Sequence, residues 1–319
     1  MGENDQKPVA RVVTVDADEA ERRLDNFLIS QLNGVPRSRI YRMIRSGEVR
    51  VNKGRVRPDR RLRHGDQVRI PPVRLGQPSV KELPRDKPDW LEARILHEDR
   101  DLLVLDKPAG LAVHGGSGLR FGVIELMRQL RGDQQQLELV HRLDRETSGC
   151  LLIAKRRSAL RHLHEQFRSG DVQKRYLALL HGSWKGGNRI VEAPLEVKHR
   201  RNGERHVIVS SRGKAAYSKF MPMQVLKHGR DVFQLTEIEI ETGRTHQIRA
   251  HAEHLGHPVA GDERYGPQPS PAIRSLGLRR LFLHARVLAF DSPRGDRVIR
   301  VEAPLDPDLQ QLVDRLSRS

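Results

Sequence analysis

The stretch His141-Arg142-Leu143-Asp144-Arg145-Glu146-Thr147-Ser148-Gly149 is followed by the unbroken apolar run Cys150-Leu151-Leu152-Ile153-Ala154 and preceded by Leu137, Leu139 and Val140. Five apolar residues behind a glycine read as a strand buried on both faces, because a half-solvated strand would alternate. Asp144 therefore stands in a polar turn at the mouth of a core element. Arg142 and Arg145 flank it, favouring the ionised carboxylate and attracting an anionic partner. Taken alone, such an aspartate reads as a capped turn with surface ion pairs, the commoner setting for a carboxylate among arginines. The rest of the chain decides whether it carries chemistry.

At 319 residues the chain is long enough for two domains of about 150 residues each. Its 58 Lys and Arg against 41 Asp and Glu leave a net charge of +17, so a polyanionic partner is the first expectation. The single cysteine, Cys150, excludes an intrachain disulfide and a thiolate metal cluster and fits a reducing compartment. No apolar leader opens the chain, and no apolar run approaches the roughly 20 residues of a membrane span. The expectation is a soluble, cytoplasmic protein with no membrane partner.

Residues 1–19 read as an N-terminal extension in which Arg11 to Val15 alternate as a short strand. Beyond it Leu24, Phe27, Leu28 and Leu32 recur at helix spacing, Val35-Pro36 breaks the run, and Ser38 is placed to cap a second helix that Gly47 ends. A strand at Glu48 to Val51, a turn at Asn52 to Gly54, a Gly65-Asp66 turn and a strand at Gln67 to Ile70 complete a small sheet. Residues 20–70 hold 14 Arg and Lys against five acids, so +9 of the excess charge lies in 51 residues. The order Arg-Leu-Asp, Ser-Arg, Gly-x-Val-x-Val-Asn and a late Gly-Asp resembles the S4 RNA-binding module. Residues 20–80 are assigned to it, with Arg37, Arg39, Arg42, Arg45, Arg50 and Lys53 as RNA contacts. Few aromatics accompany them, which favours phosphate and shape recognition over base stacking.

Prolines at 71, 72, 78, 84 and 88 mark a linker, drawn at 81–92, ahead of a second domain at 93–319. There Leu102 to Leu105 reads as a strand, Asp106 to Gly110 as a turn, Leu111 to Val113 as another strand, and Val123 to Leu130 as a helix. Gly115, Gly116 and Gly118 lack the lysine and hydroxyl residue of a nucleotide loop. Leu160, Leu163 and Phe167 mark a helix closed near Gly170, and Gln173 to Leu180 a strand carrying Tyr176. Residues 189–230 read as short strands and loops with a basic turn at Lys198 to Arg205. The strand Val232 to Glu241 delivers Thr242-Gly243-Arg244-Thr245-His246-Gln247-Ile248-Arg249-Ala250-His251, where Thr245 is placed to cap a helix whose start, beside two arginines, suits an anion. His251, His254 and His257 are spaced three and three with Gly256 between, which does not assemble one tetrahedral face.

Taken in order, the S4-like residues, Lys107-Pro108-Ala109-Gly110-Leu111, His141 to Gly149, Arg175-Tyr176, Thr242 to His251, Gly256-His257-Pro258, Gly261-Asp262 and Tyr265-Gly266 resemble the RluA-type family of RNA pseudouridine synthases. Gly115-Gly116 after His114 departs from the proline common there. The resemblance implies an α+β fold, a mixed and largely antiparallel sheet with helices on its flanks, and isomerisation of specific uridines in ribosomal RNA of the large subunit or its assembly intermediate. It implies Asp144 as the essential carboxylate, Arg249 as its charge partner, Tyr176 stacked on the target base and assisting removal of the C5 proton, and Arg142 supporting the space that a flipped uridine vacates. No cofactor, no metal and no protein partner is called for. The rival readings are another rRNA site or tRNA, a non-catalytic RNA-binding ribosome-assembly factor, and a glycosidic hydrolase pairing Asp144 with Glu146. Two carboxylates so close in one turn do not suit a hydrolase of that kind.

Overall fold

The computed structural model describes residues 10–16, 19–32, 35–73, 88–115, 121–132, 137–199 and 205–318. The prolines at 78 and 84, the glycines at 116 and 118 and the basic turn at 200–204 lie outside them, as do the side chains of Arg37, His199 and Arg205. The chain divides into two compact units, Met1–Asp86 and Lys87–Ser319.

In the smaller unit, strands β1 (Arg11–Thr14), β2 (Arg50–Val51) and β3 (Gln67–Ile70) form an antiparallel sheet in the order β1-β3-β2. Helices α1 (Leu24–Gln31) and α2 (Arg37–Ser46) bury Leu24, Phe27, Leu28, Ile40, Met43 and Ile44 in one core with Val51, Val68 and Ile70. Each such side chain contributes about 1.5–3 kcal/mol. The buried Asp25 ties the helices together, accepting hydrogen bonds from Arg23, Tyr41 and the Asn26 N–H. Gly47 closes α2 at φ 78 as its sequence position predicts. The start differs, because Pro36 stands at the N-cap and Ser38 falls inside the first turn, with no side-chain cap.

The larger unit is built on one ten-stranded sheet. Its strands in chain order are β4 (Ile95–Glu98), β5 (Leu102–Lys107), β6 (Glu138–Leu139), β7 (Ser148–Ala154), β8 (Gln173–His181) and β9 (Arg189–Glu192). After a two-stranded hairpin of β10 (Leu195–His199) and β11 (Arg205–Val209) come β12 (Tyr217–His228), β13 (Asp231–Ile240), β14 (Leu283–Asp291) and β15 (Val298–Glu302). The order is β4-β5-β7-β14-β8-β13-β12-β9, with β15 on β14 and β6 on β7. Only β7 and β14 pair in parallel among the described strands, so the sheet is mixed and largely antiparallel as the sequence predicts. Helices are α3 (Val123–Arg131), α4 (Arg157–Ser169), α5 (Gln247–His254), α6 (Pro271–Ser275) and α7 (Pro307–Ser317). None in the described residues is long and apolar enough to cross a membrane.

Strand alternation sets which helix covers which face. Leu177 and Leu179 of β8, with Phe233 and Leu235 of β13, pack on Leu309, Leu312 and Leu316 of α7. Ala178, Leu180 and Ile238 face the other way, against Ile248 and Ala252 of α5. Strand β7 is buried at every residue, as its apolar run requires.

Three stretches differ from the sequence expectation. Asp106 and Lys107 are the last residues of β5 rather than a turn, with Lys107 opposite Gly149. Residues 111–113 are no strand, because their carbonyls are taken by Lys107 Nζ and by the first amides of α3. Strand β12 runs twelve residues where short pieces were expected, with a bulge between Pro222 and Gln224 that lets it carry a proline.

Candidate active site

Asp144 is held by its neighbours' backbone. The incoming chain docks on β7: Val140 N–H donates to Leu152 O, and His141 Nε2 accepts the Leu152 N–H at 3.0 Å. The His141 ring stacks on Phe167 at 5.1 Å, and burial, helped by the charge of Lys174, pushes it down to about 4, so it stays a neutral acceptor. Thr147 N–H closes the turn on Asp144 O. Lys107, fully buried, donates from Nζ to the carbonyls of Pro108, Leu111 and Arg145 at 2.8, 2.9 and 3.1 Å. Burial lowers this lysine to about 7 against the opposing charges of Glu146 and Asp144. The loop is thus braced from both sides, and the Asp144 side chain, 21% exposed, opens into a pocket shared with Arg142, Tyr176, His246 and Arg249.

The opposite wall is the start of α5. Gln247 organises it: its Oε1 accepts from Thr242 Oγ1 and from the Arg244 N–H, and its Nε2 donates to Tyr217 O and Ser218 Oγ. The helix begins one residue later than expected, with His246 rather than Thr245 at the N-cap and in the left-handed region at φ 51. Arg249, 7% exposed, is bound bidentately by Asp262, Nε to Oδ2 and Nη2 to Oδ1, both at 2.7 Å. Its Nη1 lies 3.7 Å from Asp144 Oδ2. The guanidinium also sits over the Tyr265 ring at 5.0 Å. Asp144 is therefore the second, looser carboxylate of Arg249.

Tyr176 lines the same pocket from β8. Burial, and then the charge of Asp144, pushes its phenol well above the ordinary range, so the hydroxyl stays protonated. Arg142 is exposed at the rim and has no ion pair among the described residues. Arg145 pairs with Glu146 at 2.7 Å on the outside, and Glu146 does not line the pocket, which deprives a two-carboxylate hydrolase of its second group. His251 is buried with Nδ1 on Ser218 Oγ and Nε2 on Ala193 O, and His257 Nδ1 is taken by His181 O. In the smaller unit Arg39, Arg42, Arg45, Arg50 and Lys53 are all exposed, while the side chain of Arg37 lies outside the described residues.

The geometry brings together Asp144, Tyr176, Arg249 and Arg142 from segments up to about a hundred residues apart. It adds His246, Asp262, Tyr265 and Lys107, to which sequence reading assigns no role. Asp262 and Tyr265 were visible only as parts of Gly261-Asp262 and Tyr265-Gly266. Their contacts with the α5 start are long-range and leave no local signature.

A sequence model of the family described as RNA pseudouridylate synthase matches residues 101–254, and one of the S4 domain matches residues 22–68. The chain is 50% identical over 315 residues to the ribosomal large subunit pseudouridine synthase C of Yersinia pestis, covering 98% of this chain and 97% of that one. It is 49% identical over 317 residues to the protein of the same name from Escherichia coli (strain K12), covering 98% of each. Among solved structures, human RNA pseudouridylate synthase domain containing 4 is similar at a TM-score of 0.57 and 25% identity, over 72% of this chain and 95% of that one.

Proposed function

The chain belongs to the RNA pseudouridylate synthase family, and we propose that it converts specific uridines of large-subunit ribosomal RNA to pseudouridine, with Asp144 as the essential carboxylate. The observation that carries this reading is the convergence of Asp144, Tyr176 and Arg249 on one pocket. The names of the relatives supply the substrate.

The reaction breaks the bond from C1′ to N1, turns the base, and makes a bond from C1′ to C5. The C5 proton leaves and N1 gains one, so the isomerisation is redox-neutral. A carboxylate must stand beside the sugar, and Arg249 Nη1 at 3.7 Å faces it without tying it up in a bidentate pair. Tyr176 offers a ring for the uracil and a hydroxyl that stays protonated, which suits it to stacking and hydrogen-bond donation rather than to removing the C5 proton as phenolate. Arg142 is the proposed support for the gap left by a flipped nucleotide, a role its exposure permits.

We assign residues 20–80 to RNA anchoring, 81–92 to a linker and 93–319 to catalysis. Arg37, Arg39, Arg42, Arg45, Arg50 and Lys53 are the proposed phosphate contacts, and the proposed compartment is the cytoplasm, with the ribosomal substrate.

The test is tritium release from 5-tritiated uridine in ribosomal RNA. Asp144→Asn is expected to bind RNA like the unaltered chain and to release none; turnover by this variant would refute the assignment. A pseudouridine map of total RNA from cells with and without the protein then identifies the target. Losses confined to tRNA would refute the ribosomal substrate.

A further inference from the structure

Two nitrogen donors face one oxygen of Asp144. Arg249 Nη1 lies 3.7 Å and His246 Nε2 3.8 Å from Oδ2, and no described residue makes a hydrogen bond with Oδ1. What Nε2 can do depends on the other ring nitrogen. Nδ1 is 2.9 Å from the Tyr265 hydroxyl, and that hydroxyl oxygen already accepts the Val207 N–H at 2.9 Å. Tyr265 has one proton to donate and, among the described residues, Nδ1 is its acceptor. A neutral imidazole that accepts at Nδ1 carries its proton on Nε2.

The surroundings keep that arrangement in place. Burial acts most strongly on the ring and, with the charges of Arg249 and Arg264, outweighs Asp144, so the imidazole is neutral. Tyr265 is fixed between the His206 ring, stacked at 4.8 Å, and the Arg249 guanidinium. His246 itself adopts φ 51, a conformation that L side chains take rarely and that the surrounding fold must enforce.

We infer that His246 is a positioning residue for Asp144: its Nε2–H, set as the donor by Tyr265, holds Oδ2 together with Arg249 and leaves the other carboxylate oxygen to face the substrate. The separation of 3.8 Å is longer than a hydrogen bond, and the positioning role requires it to shorten to one in the complex with RNA. The consequence for turnover rests on the pseudouridine synthase reading; the tautomer does not.

The first measurement is nitrogen NMR of the full chain labelled at histidine, with the His246 signals identified by their loss in His246→Gln. A pyrrole-type Nε2 and a pyridine-type Nδ1 are expected, and Tyr265→Phe should populate the opposite tautomer. A ring protonated at Nδ1 in the unaltered chain would overturn the inference. The second is turnover on ribosomal RNA. His246→Met should lose about 10²-fold in kcat with little change in KM. His246→Gln restores an N–H near the Nε2 position and should recover about tenfold of that loss. A glutamine variant as slow as the methionine one, or a methionine variant as fast as the unaltered chain, would also overturn it. Should the unaltered chain convert no uridine, the function reading fails, while the NMR result still decides the donor.

Discussion

Arg249 has two carboxylates in reach and divides itself unequally between them, 2.7 Å to each oxygen of Asp262 and 3.7 Å to Asp144. Asp262, 2% exposed, also accepts the N–H groups of Arg264 and Tyr265, so it is fixed from three sides. This inequality serves the chemistry: a bidentate pair with Asp144 would stabilise the carboxylate where it stands, whereas the looser contact leaves it available. Asp262→Asn removes the charge that holds the guanidinium back. The variant should lose about 3–5 kcal/mol of stability, as breaking a buried pair does, and about 10²-fold in turnover as Arg249 shifts onto Asp144. Thermal unfolding and tritium release check this together; a folded variant with undiminished turnover would refute the aiming role. Asp144, Tyr176 and Arg249 are legible through the family resemblance, whose motifs carry them; the local signals around each give only a strand, a turn or a helix start. Sequence reading did not name Asp262, His246 or Tyr265 as working residues, because their roles arise from contacts between segments that no periodicity links.

At the scale of elements, the active-site loop depends on how closely β7 approaches β14. Gly149 pairs with Ala285 at φ 105, and a Cβ there would lie 2.2 Å from the Ala285 carbonyl oxygen. Gly149→Ala therefore meets both backbone strain and a clash with main chain, for a loss of about 2–6 kcal/mol. Gly170→Ala, at the left-handed end of α4 with nothing near its Cβ, should cost only about 1–2 kcal/mol. Urea midpoints of the two variants compare them, and equal losses would show that the close approach is not what Gly149 provides. Helix α2 makes a different prediction, because Arg39, Arg42 and Arg45 recur every third residue and are exposed along it. Replacing all three by glutamine should lower the salt slope of RNA binding by about 2–3, close to one per lost phosphate contact. An unchanged slope would take α2 out of the RNA interface. Helices α2 and α4 were legible from their period and β7 from its unbroken apolar run, and so was the glycine that ends α2. β12 was not, since Pro222 reads as a break, and the ring is accommodated by the bulge beside it and by the end of the β9 pairing at Phe220. The stretch 111–113 was not either, since its strand-like apolar residues give their carbonyls to a buried lysine and a helix start.

For the molecule as a whole, composition announced a polyanionic partner through a net charge of +17, but it said nothing about the response to pH. That response follows from where the histidines are buried. His141 is pushed down to about 4, and burial also lowers His164, His181, His251 and His284. A histidine with a depressed folded pKa stays neutral in the fold but takes up a proton in the unfolded chain below about 6.5, so acid draws the equilibrium toward unfolding. His141 alone contributes about 3 kcal/mol that is fully present above pH 6.5 and lost as pH falls toward 4. Asp106 works in the opposite sense. Burial raises it to about 6, so it binds its proton more readily in the fold and gains stability as pH falls below that value. One carboxyl against these five histidines and His246, which burial also lowers, leaves the net effect destabilising. Both tryptophans, Trp90 and Trp184, belong to the larger unit, so their fluorescence follows that unit. The urea midpoint read from it should fall steadily between pH 6.5 and 4.5, and His141→Gln, which keeps a side chain able to accept at that position without titrating, should flatten the decline. A midpoint constant across this range would show that the buried histidines are not held neutral by the fold.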